Sequence, residues 1–242
     1  MLNNTKTQKS LYFVMVLLLL NLSFLNFASA VSKVKYKCEG KVATISGKGS
    51  VKGTSGNDVI YLTGKATVRA GAGNDTICGS SKDDTIYGET GKDLIIGGKG
   101  NDSLHGFDGD DVIKGGTGND VLDGGMGNDS IFGEGGDDFI NGDQGDDLIE
   151  GGLDDDHIEG DEGNDSISGG EGDDFLSGGT GDDSLDGDEG DDEIQGDDGT
   201  DAIEDNEGEN NIDDEDYIES SLIEEDIDTT LEDLNDDLDA NN

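Results

Sequence analysis

Gly97-Gly98-Lys99-Gly100-Asn101-Asp102-Ser103-Leu104-His105 is one of fifteen consecutive nine-residue units that run without insertion or deletion from Ala70 to Glu204. The sixth position is Asp in every unit and the eighth is Ile or Leu. The first is Gly in every unit after the one that opens with Ala70. Self-similarity at a fixed period marks a repeat architecture, in which each unit buries its apolar residue only by stacking on its neighbours. In Ser103-Leu104-His105 the central side chain points to one face and its neighbours to the other, the pattern of a very short strand. The six residues before it are rich in Gly, Asn and Asp and read as a turn. One unit is then half a coil, and two units return the chain to the same edge, one strand spacing further on.

That stacking places like charges together. One edge would carry Asp75, Asp93, Asp111, Asp129, Asp147, Asp165, Asp183 and Asp201; the other, Asp84, Asp102, Asp120, Asp138, Asp156, Asp174 and Asp192. Rungs lie about 4.8 Å apart, where two unit charges repel by roughly 3 kcal/mol at an effective dielectric near 20. Thirteen such neighbour pairs together could outweigh the ~5 to 15 kcal/mol net stability of an ordinary domain. A divalent cation between rungs removes the difficulty. Carboxylates and peptide carbonyls are hard oxygen donors, and glycine-rich turns suit the irregular six-to-eight coordination of Ca²⁺ better than the octahedron of Mg²⁺. All fifteen Asp residues are therefore candidate calcium ligands, with up to about thirteen inter-rung ions.

The unit resembles the G-G-x-G-x-D-x-U-x nonapeptide of the repeats-in-toxin (RTX), or haemolysin-type, calcium-binding proteins. That resemblance implies an all-β, right-handed parallel β-roll, a β-solenoid with short strands, in which Asp carboxylates and turn carbonyls hold Ca²⁺ between successive rungs. Departures are Lys82 and Asp154 at the fourth position and acidic residues at the second, as at Asp143, Asp161, Asp188 and Asp197. Setting aside the pairs that touch the units of Lys82 and Asp154 leaves ten unblemished sites.

Outside the array, residues 1–30 read as a secretory signal peptide. Lys6 and Lys9 precede the apolar run Leu11–Leu20, and Ala28-Ser29-Ala30 supplies small residues for cleavage. The run is too short to span a bilayer, so no transmembrane span is expected in the mature chain and its place is extracellular. Residues 31–52 form a basic capping segment in which Lys41-Val42-Ala43-Thr44-Ile45 alternates as a strand would. Residues 53–69 hold an outlying repeat, Gly53 to Tyr61, and a spacer; the copy lies one residue out of phase with the array. Residues 205–213 are a degenerate repeat. Residues 214–242 are an acidic tail in which Ile218, Leu222, Ile227, Leu231, Leu234 and Leu238 could line one helix face. The isolated pair Cys38 and Cys78 is expected to bridge in an oxidising compartment, tying the cap to the first rungs. His105 and His157 read as solvated bystanders.

Charge and composition narrow the function classes. The formal net charge is -46, and all 14 basic residues lie at or before Lys114. Residues 115–242 carry only acids, which excludes nucleic acid as a partner and leaves a cell-surface, mineral or protein partner for the acidic half. Neither residues 31–52 nor 214–242 join a nucleophile to a histidine base, so no enzyme is expected.

Overall fold

The computed structural model describes residues 36–204 and 211–213. The proposed signal peptide and the acidic tail lie outside the described residues, as does most of the degenerate repeat. The chain divides into units 1–37 and 38–242, and the account below concerns the second. Every regular element among the described residues is a strand, and among those residues no helix is long and apolar enough to cross a membrane.

The second unit is a parallel β-solenoid. Each strand pairs in parallel with the strands eighteen residues before and after it: Val121 lies opposite Ser103 on one side and Phe139 on the other. Two nine-residue units therefore make one coil, and the 18-stranded sheet corresponds to about nine coils. The strands are longer than the repeat pattern suggests. Ser103–Asp108 and its counterparts span six residues, running from position seven of one unit to position three of the next. Glycine at positions one and two looks like turn chemistry in the sequence, yet both belong to the rung, and only positions four to six turn the corner.

Burial follows the two-residue strand period. The position-eight side chains from Ile77 to Ile194 are at most 2% exposed and form one continuous core, against which Ile203 is partly buried. Each contributes about 1.5–3 kcal/mol by leaving water. Position seven points outward, which is why Val121, Phe139 and Leu148 remain exposed.

The first coil is irregular. The longer N-terminal strand lies at Ile45–Lys52, with Lys41–Val42 a separate two-residue strand, so the sequence reading placed it a few residues early. Val51 is its buried anchor, and the register shifts between Gly47 and Gly49. The strand Val59–Ala72 runs on across the first corner, where Gly64 has a φ of 159°. Ile60 faces Ile77 at an offset of seventeen, but Thr67 faces Thr85 at eighteen. The phase difference of the outlying repeat is thus absorbed within Leu62–Ala66.

Candidate metal centre

The position-six aspartates line the interior of both edges. Those from Asp75 to Asp192 are no more than 3% exposed. Each accepts a hydrogen bond through Oδ1 from the backbone N–H of the Asp one rung below. Asp75 N donates to Asp93 at 2.7 Å, Asp111 N to Asp129 at 2.6 Å, and Asp138 N to Asp156 at 2.8 Å. The same ladder reaches down to Asp58 N, bound to Asp75 Oδ1, and Ala66 N, bound to Asp84 Oδ1, both at 2.7 Å. The outlying repeat and its spacer therefore continue the ladder below the array.

The second carboxylate oxygen is the anomaly. In Asp75, Asp93, Asp102, Asp111, Asp120, Asp129, Asp138, Asp147, Asp156, Asp165, Asp174 and Asp183, Oδ2 is buried and accepts no hydrogen bond. Leaving a buried charge unsatisfied is costly, so such a group must take up a proton or a cation. Burial, reinforced by neighbouring rung carboxylates and only partly opposed by the Oδ1 hydrogen bond, pushes Asp102, Asp111 and Asp138 up to about 7. The same causes push Asp147 and Asp156 up to about 8.

The position-one glycines explain what surrounds that oxygen. Gly97 has no left-handed φ; a Cβ built on it would lie 2.5 Å from Asp102 Oδ2 and 2.6 Å from the Gly115 carbonyl oxygen. Equivalent glycines repeat the relation along both edges, as Gly115 does with Asp120 and the Gly133 carbonyl. A carboxylate oxygen and a carbonyl oxygen from adjacent rungs thus converge beside each glycine Cα. Among the described residues no three Asp, Glu, His or Cys side chains gather as a metal cluster, so backbone carbonyls must complete any coordination shell. One carboxylate with several carbonyls is an oxygen-only donor set that suits Ca²⁺.

Position two departs from expectation in backbone rather than charge. Glu89, Phe107, Glu134, Asp143, Asp161, Asp188 and Asp197 all adopt left-handed φ, between 67° and 78°. The glycines that share the position, such as Gly98 at 107°, show what the turn requires. Asp154 likewise takes the place of a fourth-position glycine at φ 72°.

The two histidines are not bystanders. His157 is stacked between Phe139 and Phe175, with ring centroids 4.9 and 4.5 Å away, and lies 3.1 Å from Glu159. His105 stacks on Tyr87 at 5.1 Å and meets Asp123 at 3.0 Å, which holds that carboxyl below its ordinary range. The eighteen-residue register brings side chains at equal repeat positions face to face, a relation invisible when each histidine is read within its own unit. Cys38 and Cys78 form a disulfide.

A family model described as RTX calcium-binding nonapeptide repeat matches residues 46–64 and, in overlapping segments, residues 69–212. No curated protein matches the chain.

Proposed function

Because the chain belongs to the RTX calcium-binding nonapeptide repeat family, we propose that it is a secreted, non-enzymatic protein whose solenoid folds on binding calcium. Calcium binding accords with the family and with the stacked Asp turns. The observation that carries the coupling to folding is the row of buried Oδ2 atoms without hydrogen-bond partners. The candidate ligands are the position-six aspartates Asp75 and Asp93 through Asp201, without Asp84, together with position-one carbonyls such as that of Gly115. Calcium bound there would supply the positive charge that the interior lacks. The protein's own part is to hold each carboxylate by its Oδ1 hydrogen bond, to keep the neighbouring site clear with glycine, and to exclude water with the Ile and Leu column.

Binding energy then becomes folding energy, because the unfolded chain has no assembled site. Millimolar extracellular calcium would keep the array closed. Circular dichroism of the full chain in calcium and then in excess chelator tests this. Loss of the β signal on chelation is expected, and an unchanged signal would overturn the proposal.

The surface supports a second reading, adhesion to a calcium mineral or an acid-binding cell surface. Position five of one edge carries Asp137, Asp155, Asp173 and Asp191 on successive rungs, with Asp173 N bound to Asp155 Oδ1 at 3.0 Å and Asp191 N to Asp173 Oδ1 at 3.1 Å. Retention on calcium carbonate, compared with a variant in which these four are Asn, would discriminate it. Equal retention would reject this edge as the contact.

A further inference from the structure

Two turns are closed by the protein itself. At the base of one edge, Asp58 Oδ2 accepts the backbone N–H of Thr54 at 2.8 Å and its hydroxyl at 2.9 Å. On the other edge, Asp84 Oδ2 accepts the backbone N–H of Ser80 at 2.8 Å. Both hydroxyls also bridge the turn, from Thr54 to the Gly56 carbonyl at 3.2 Å and from Ser80 to the Lys82 carbonyl at 3.4 Å. Thr54 and Ser80 occupy the second position of their units, and no other unit has a hydroxyl residue there. Position two is left-handed in all the remaining units of the array, whereas Thr54 and Ser80 are not. With ordinary φ the N–H reaches inward to the carboxylate; in the left-handed turns of Asp75 and of Asp93 through Asp183 the corresponding Oδ2 has no such donor.

From these two matching turns we infer that Asp58 and Asp84 bind no calcium, and that residues 45–87, apart from the turn that carries Asp75, form a metal-independent base on which the calcium-filled turns stack. The inference rests on the calcium reading above and divides the ladder into two classes of turn. Their placement is systematic. Asp58 is the lowest carboxylate on its edge; on the other, Ala66 holds the place below Asp84 without any carboxylate, which makes Asp84 the lowest there. The same region holds the Cys38–Cys78 disulfide, the Lys41 ammonium donating to Thr76 Oγ1 at 2.9 Å, and the Lys65–Asp83 ion pair. The base therefore has few uncompensated buried charges and several crosslinks of its own. Calcium begins at Asp75 on one edge and Asp102 on the other, and a preformed base gives the first of those turns a template, so that the array closes from the N-terminal end.

Hydrogen exchange on the full, oxidised chain tests this. In excess chelator, peptides within 45–87 should be protected about 100-fold more than those within 94–204, and calcium should then protect the latter. A chain unprotected throughout in chelator yet protected in calcium would overturn the base and leave the calcium proposal standing. Protection throughout in chelator would overturn the calcium proposal itself. A second measurement does not depend on the apo state: calorimetric stoichiometry should be unchanged in Asp84→Asn and lower in Asp102→Asn. Loss of bound calcium in Asp84→Asn equal to that in Asp102→Asn would overturn the division. Ser80→Gly removes the hydroxyl that bridges to the Lys82 carbonyl and frees position 80 to take the left-handed φ of the other turns, without touching a carboxylate; it should lower protection of 45–87 in chelator while the calcium-loaded chain stays folded. Unchanged protection there would count against Ser80 as the closing residue.

Discussion

Gly97 and Asp102 occupy the same space by turns: the methyl that any other residue would place at position 97 would come 2.5 Å from Asp102 Oδ2. Glycine here answers a carboxylate, not a dihedral angle. Gly97→Ala should therefore destabilise the calcium-loaded protein by about 1–3 kcal/mol, the range for overpacking a closed interior, and should weaken calcium binding. Gly56→Ala, where an added Cβ meets nothing within 4 Å, is the control and should be nearly neutral. Urea unfolding at fixed calcium would compare them.

Asp147→Asn separates charge from hydrogen bonding. The amide oxygen can still accept from Asp129 N, which now reaches Asp147 Oδ1 at 2.6 Å. Removing one buried charge relieves repulsion with Asp129 and Asp165, which both help raise the Asp147 pKa. The variant should fold more readily without calcium and need a higher calcium concentration to reach full order. Calcium titrations followed by circular dichroism should show both shifts.

Acid and calcium should act in opposite senses. In the metal-free solenoid, Asp102, Asp111 and Asp138 are pushed up to about 7, and Asp147 and Asp156 to about 8, from an ordinary 3.8. Folding raises these values, so their contribution favours the folded state fully below about pH 4 and is lost as pH rises through 7 to 8. In chelator, β structure should therefore increase on acidification. In calcium the dependence reverses, because protons compete for the ligand oxygens. Spectra recorded from pH 4 to 8 with and without chelator would check the crossing.

Glu134 carries its side chain at φ 75°, where a Cβ costs roughly 1–2 kcal/mol. Glu134→Gly should stabilise the protein, by about 1 kcal/mol once the greater freedom of the unfolded glycine is counted. Thermal melting in saturating calcium would measure it. Substitution of Gly98, at φ 107°, by Glu should shift the melt the other way.

Much of this architecture can be read from a string of letters because its period is strict. Asp at position six and Ile or Leu at position eight identify the ladder, the core and the eighteen-residue coil without reference to any distant contact. The strand boundaries escape such reading, since Gly97 and Gly98 have the composition of a turn and the geometry of a rung. So do the closed turns: Ser80 is one polar residue among many until its N–H is seen to reach Asp84. The stacking of His157 between Phe139 and Phe175 depends on register across 36 residues of chain, which a single unit cannot reveal. The phase slip at Leu62–Ala66 is legible as an oddity of spacing, but not as the place where one strand continues across a corner.

The eighteen-residue register also sets rules for how such a gene can grow. Insertion or loss of eighteen residues within the array leaves every downstream side chain in its old column. A change of nine keeps the core and the Asp turns intact but transfers everything downstream to the opposite wall. Phe139, His157 and Phe175 would then leave the wall they share with Tyr87 and His105 and join that of Lys114 and Phe132. Two lengths of duplication thus yield equally foldable proteins with differently painted exteriors, and only the longer preserves whatever those walls are selected to touch.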